Sequence, residues 1–292
     1  MGGKVINEDP NHLGPLWEAI LDIYEEFCRV CDRHGLRHYV VSGTLLGAVR
    51  HKGFIPWDDD FDLAMPRPDY DKFKELAKTE LPCHLQWMDW HNTSGFRMLF
   101  GKVMDCRQEK IEGLERILGH QLSNGLFVDV FPIDGYPDSG LVRFGYKILE
   151  AVFLVVGRHY AYRCEGVRMS LKRRMVDFLG SLFSFLFPVF KTIPRYVSAC
   201  ERYLMWIPFA DNRSSAMGGI LLGKFHLVFP PRMFGCGVKF PFEGVEVRAP
   251  MMWRKFLESH YGNYMKLPPE EKRHPTHDYG THCPWWLGPV KK

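Results

Sequence analysis

The chain has 292 residues, 46% hydrophobic, 14% aromatic and 25% charged. That balance excludes a disordered, collagen-like or low-complexity chain, and the length suffices to bury a core without disulfide staples. Lys plus Arg number 38 against 34 Asp plus Glu, a formal charge of +4. Nucleic-acid binders concentrate far more positive charge, so no nucleic-acid partner is expected.

The opening residues through Pro10 lack an apolar run and carry acids early, so no signal peptide is expected. The eight cysteines are accordingly read as reduced thiols of a cytoplasmic protein. Cys28 and Cys31 form a C-x-x-C, but without a second pair or a suitably spaced His, and zinc or redox use is not expected there.

Leu13, Leu16, Trp17, Ile20, Ile23, Tyr24, Phe27, Val30 and Cys31 recur at three- and four-residue steps, predicting an amphipathic helix that Gly35 stops. His38–Val41 predicts a short strand, Leu45–Arg50 a short helix, and Phe54–Met65 an extended segment. Asp69 opens a further helix. Strands are expected around Leu85–Trp90, Phe96–Met104 and Leu126–Ile133, then helices almost throughout Leu141–Trp206. Short strands resume after Asp211, with a hairpin over Phe240–Val247 and a last helix over Met251–Tyr261. No internal repeat is visible. The architecture expected is an α+β core over 1–137, a helical insertion over 138–211, and a C-terminal part over 212–292 that completes the core.

Within the insertion, Phe178–Phe190 is the most apolar run, thirteen residues, short of the about eighteen needed to cross a bilayer. Lys172, Arg173 and Arg174 precede it, and Lys191 and Arg195 follow. Such flanks suit a helix lying on a membrane surface, and peripheral contact through 141–195 is one expectation. A core helix with solvated ends explains the pattern equally well.

Four of the five residues from 58 to 62 are aspartates. In an extended segment Asp58, Asp60 and Asp62 share one face, about 7 Å apart, and each neighbouring pair repels by roughly 2–3 kcal/mol at an effective dielectric near 20. A divalent cation offsets such repulsion. Carboxylates without nearby His or Cys favour Mg2+ or Mn2+ over zinc. An EF-hand is excluded, since Leu63 stands where glycine is needed and Asp69 where a bidentate Glu belongs. Asp129, inside the apolar run Leu126–Phe131, is costly unless paired or metal-bound.

Ser42-Gly43-Thr44 lies at a strand-to-helix junction, where backbone N–H groups suit a phosphate oxygen. Arg50, His51 and Lys52 follow as a basic group. Metal carboxylates, an N–H cradle and cations are the parts of phosphoryl chemistry. Neither a Walker sequence, a Rossmann fingerprint nor a G-x-S-x-G elbow is present.

The stretch Val41–Asp62 resembles the signature of the LicD family. Gly125–Gly135 resembles its second block and Tyr261–Arg273 its C-terminal block. The resemblance implies a nucleotidyltransferase-like fold, a mixed sheet with flanking helices, and a metal-dependent phosphotransferase. Family members move phosphocholine from CDP-choline to a cell-surface glycan, as in lipopolysaccharide or teichoic acid modification, or ribitol phosphate from CDP-ribitol in the related fukutin group. By that analogy Asp58, Asp60 and Asp62 are metal ligands, and Asp129 a further ligand or the general base. Ser42, Gly43, Thr44 and Arg50, with His51 and Lys52 beside them, face the diphosphate, and Lys102 matches a basic family position. The expected partners are a CDP-alcohol donor and a glycan or lipid-linked glycan acceptor, met at the inner face of the membrane. Two rivals stay open: nucleotidyl transfer from a nucleotide triphosphate, and a non-catalytic binding module on the same fold.

Overall fold

Helix α1 (Gly14–His34) buries the apolar stripe that its spacing predicts, from Leu16 and Trp17 to Val30 and Cys31. Gly35 ends it at φ 64, where its N–H and that of Leu36 close back on the carbonyls of Asp32 and Cys31. The structure is a computed structural model and describes residues 13–93, 96, 98–106, 126–165, 170–218 and 226–273. These fall into two compact units, one within 13–88, 102–132 and 232–273, the other within 89–101 and 133–231.

The first unit carries the strands β1 (Tyr39–Val40), β2 (Asp62–Pro66), β3 (Leu85–Met88), β4 (Gly101–Asp105, from Lys102 on) and most of β5 (Leu126–Gly135), in the order β1-β2-β5-β4-β3. Strand β1 pairs antiparallel with β2 (Tyr39 opposite Ala64), and β3 with β4 (Leu85 opposite Asp105). Helices α2 (Ser42–Arg50) and α3 (Arg67–Glu80) flank them. Strands β8 (Val238–Phe242) and β9 (Val245–Ala249) form a hairpin whose turn residues, Glu243 and Gly244, both take positive φ, the geometry that matches strand twist. A last helix, α7 (Trp253–Tyr261), closes this unit.

An aromatic core holds these elements. Trp17 stacks on Phe54 at 5.1 Å, and Phe54, Phe61 and Phe242 pack edge to face, contacts worth about 0.5–1.5 kcal/mol each beyond buried area. Gly47 is required by a close approach: a β-carbon there would stand 2.4 Å from the carbonyl oxygen of Gly53.

The second unit contains the end of β5, whose Ile133 lies opposite Met217 of β6 (Ser215–Gly218), and β6 pairs antiparallel with β7 (His226–Phe229). Its helices are α4 (Gly140–Glu165), α5 (Leu171–Leu186) and α6 (Ile193–Leu204). Tyr146, Phe153, Val156, Tyr196, Cys200 and Tyr203 form its own apolar core.

The fold is α+β, a mixed sheet with flanking helices, as expected. Several local readings differ: the strand expected around Phe96–Met104 is confined to Gly101–Asp105, and the helix expected from Asp69 begins at Arg67. Helix α2 begins at Ser42, three residues before Leu45, because an extended Val41 launches it directly from β1. The segment from Phe54 is a strand only from Asp62; Pro56 and Trp57 turn the chain, and the Asp58 N–H closes on the Ile55 carbonyl at 2.8 Å.

Candidate active site

The site lies wholly in the first unit and begins where β1 hands over to α2. The Val41 N–H donates to the Asp62 carbonyl at 3.0 Å, and Ser42 takes φ 48, a left-handed conformation that a non-glycine residue adopts at a cost. Among the described residues no side chain caps the helix that follows. Its first N–H groups, with the positive end of the helix dipole, are therefore open to an anion.

A cavity of about 490 Å³ sits at this helix start, and Ser42 and Gly43 line it. Asp58, Asp60 and Asp62 line it too, whereas Asp59 is buried away from it. The alternation expected of an extended segment thus survives, although residues 58–60 are not in a ladder.

Several bonds hold the acids in place. The Asp58 carbonyl accepts from the Trp17 indole N–H at 2.9 Å, and the Asp62 N–H donates to Thr44 Oγ1 at 2.8 Å. Burial pushes the Asp58 carboxyl well above the usual carboxylate range, with Asp60 and Asp59 adding to the effect. Asp62 is raised likewise by burial, then by Asp60, Asp129 and Asp58, while Lys102 opposes the shift. These carboxylates lie close enough to resist one another's ionisation.

The basic residues divide. Arg50 lines the cavity and donates from Nη1 to the Tyr264 carbonyl at 3.0 Å. His51 lies edge-on to Trp57 at 6.3 Å, and its pKa is pushed down to about 4 by burial and then by Arg50, so the ring is neutral at physiological pH. The Lys52 carbonyl accepts the Glu243 N–H, and Glu243 Oε1 accepts the Phe54 N–H, both at 3.0 Å. That clasp shapes the turn following α2. Thr44 faces inward, outside the cavity lining. Lys102 Nζ pairs with Asp129 Oδ1 at 2.5 Å and lies over the Phe127 ring. Asp129, costly alone in an apolar strand, thus has a counter-charge; neither residue lines the cavity.

The C-terminal segment supplies what local patterns did not assign to the site. Tyr261, Asn263, Tyr264, Lys266, Pro268 and Lys272 complete the lining, together with Trp57. Burial and the three acids Asp62, Asp58 and Asp60 push the Tyr261 phenol up, so it stays protonated and able to donate. Arg273 sits over the Trp57 ring at 5.7 Å.

Among the described residues no group of three or more His, Cys, Asp or Glu side chains is drawn together tightly enough to hold a metal ion as it stands. The donor type is nonetheless that of a hard cation: Asp58, Asp60 and Asp62 line one cavity and present only oxygens, the ligands that suit Mg2+ or Mn2+.

Comparison with known proteins gives three findings. Residues 35–144 match the family model described as LicD/FKTN/FKRP, nucleotidyltransferase domain. The chain is 27% identical over 263 residues to lipopolysaccharide cholinephosphotransferase LicD of Haemophilus influenzae, covering 88% of this chain and 92% of that protein. It is 30% identical over 117 residues to human ribitol 5-phosphate transferase FKRP, covering 39% of this chain but 19% of that one.

Proposed function

This chain belongs to the LicD family, whose named relatives transfer phospho-alcohols, and on that premise we propose that it moves phosphocholine from CDP-choline to a hydroxyl of a cell-surface glycan or its lipid-linked precursor. The observation that carries the proposal is the cavity itself: three carboxylates face the uncapped start of α2, with Arg50, Lys266 and Lys272 on the same walls. Anion-binding and cation-binding groups share one space, as a nucleoside diphosphate ester requires.

In this reading the first N–H groups of α2 at Ser42 and Gly43 hold phosphate oxygens, and Arg50 offsets their charge. Asp60 and Asp62, with Asp129 adjoining Asp62 from β5, are the residues that would hold Mg2+ or Mn2+. Bound there, the cation would supply positive charge against the diphosphate and the departing CMP. The acceptor hydroxyl attacks the β-phosphorus, the bond to the CMP oxygen breaks, and a carboxylate takes the proton. Asp58, whose Oδ2 lies against Gly43 at the start of α2, is the carboxylate placed for that task. Tyr261 donates to a substrate oxygen, and Lys102 steadies Asp129.

The test is titration calorimetry with CDP-choline and CDP-ribitol, each with and without Mg2+, beside Asp60→Ala. Metal-dependent binding of CDP-choline, lost in the variant and followed by CMP release on addition of acceptor, supports the proposal. Binding of CDP-ribitol alone replaces the alcohol. Release of pyrophosphate from CTP overturns the reading in favour of nucleotidyl transfer.

A further inference from the structure

Helix α5 turns its apolar side outward. Leu171, Met175, Phe178, Leu182, Phe185 and Leu186 are all exposed, Phe178 at 68% and Phe185 at 85%. With Leu179, also exposed, they fall at 100° per residue within an arc of about 120°, a single continuous stripe. The opposite side is the one that packs. Gly180 is buried so closely against α4 that a β-carbon there would stand 2.3 Å from Cβ of His159, and His159 Nδ1 meets Asp177 Oδ1 at 2.8 Å. Helix α4 adds Leu141, Phe144 and Ile148, exposed at 83%, 64% and 53%. A surface of this kind on two helices of one unit exceeds the scattered apolar residues normal for a soluble face.

Charge says what covers it. From 170 to 195 the chain carries five basic residues, Lys172, Arg173, Arg174, Lys191 and Arg195, and one acid, Asp177. Asp177 is engaged by His159, and the Arg173 guanidinium lies over the Tyr162 ring at 5.5 Å. Lys172 and Arg174 are exposed and border the apolar stripe on its two sides, about 80° from its centre on the helical wheel. Lys191 and Arg195 are exposed beyond its end. An apolar stripe edged by cations matches the boundary between acyl chains and anionic headgroups. A protein partner needs no such edging.

We propose that the outward face of α5 docks the protein onto an anionic lipid bilayer, with Phe178 and Phe185 entering the acyl boundary and Lys172 and Arg174 meeting headgroup phosphates. Helix α5 lies on the membrane; among the described residues no helix is long and apolar enough to cross one. The proposal stands independently of the transfer chemistry.

The test is co-sedimentation of the full chain with vesicles of phosphatidylcholine and phosphatidylglycerol in equal parts, and with phosphatidylcholine alone. Binding is expected with the anionic vesicles and is expected to fall with salt. Phe178→Ser with Phe185→Ser, and separately Lys172→Glu with Arg174→Glu, should each weaken it by about tenfold or more. Both pairs are exposed, and an unchanged thermal melt confirms that each variant folds. No pelleting at low salt, equal pelleting on both vesicle types, or variants that bind like the parent would overturn the proposal. So would a dimer in size-exclusion chromatography that the Phe variant turns into monomer, since a second copy would then occupy the face.

Discussion

A β-carbon on Gly43 would stand 2.5 Å from Oδ2 of Asp58. Glycine is thus what lets the first turn of α2 and the acidic segment approach each other. The clash falls on the end of a side chain, which can swing away, and not on backbone. Gly43→Ala should therefore cost little stability, about 1 kcal/mol or less, while displacing the Asp58 carboxylate. The expected outcome is a near-parental melting temperature with transfer reduced about a hundredfold or more. A variant that keeps full activity would show that the Asp58 position is immaterial.

Asp60→Ala and Asp62→Ala should each reduce transfer by about a thousandfold. In metal-free buffer the same changes should raise the melting temperature, because each removes one member of a mutually repelling set. A gain of 1 kcal/mol corresponds to about 2–4 °C for a domain of 150–250 residues. Scanning calorimetry with EDTA and then with Mg2+ checks both signs: the parent should gain more from the metal than either variant.

Lys102→Met leaves Asp129 in an apolar strand without its counter-charge. A loss of about 2–4 kcal/mol is expected, reduced because both side chains keep some solvent contact. The double change with Asp129→Leu should recover much of that stability while transfer stays lost. Chemical denaturation of the single and double variants measures the coupling.

His38, packed edge-on against Phe27 at 5.3 Å, has its pKa pushed down to about 4 by burial and then by Arg248. The unfolded chain binds this proton below about 6.5 and the folded chain does not, so folding stability falls as pH drops from about 6.5 to 4. Above 6.5 the group contributes no pH dependence. His38→Gln should flatten the melting temperature over that window relative to the parent; an unchanged slope would assign the acid sensitivity elsewhere.

The acids were legible because three aspartates at two-residue steps among apolar neighbours are improbable without a shared counter-charge. The pairing of Asp129 was legible as a need, though its partner was not: Lys102 lies on another strand, 27 positions away. Helix α2 was read as starting late because Ser42, Gly43 and Thr44 are poor helix formers, and the tertiary bond from Val41 to Asp62 overrides that propensity. Tyr261 and Tyr264 were not legible as site residues because nothing local says that a tyrosine near Gly262 lines a cavity. That information resides in contacts such as Arg50 to the Tyr264 carbonyl, 214 positions apart.

The same long span bears on when the protein becomes competent during its own synthesis. Tyr39 donates its hydroxyl to the Gly235 carbonyl across 196 positions, and the second unit occupies most of the chain between them. A flexible loop of that length costs about 5 kcal/mol to close, and a ribosome delivers Gly235 long after Tyr39. The repelling aspartates are therefore made well before the lysines that share their cavity and must wait until Lys266 and Lys272 have been synthesised. A chain released before Tyr264 would lack the carbonyl that receives Arg50, and one released before Lys266 would lack part of the cavity wall. A chain that stops before Tyr264 should fail to bind ligand even where both units have most of their cores.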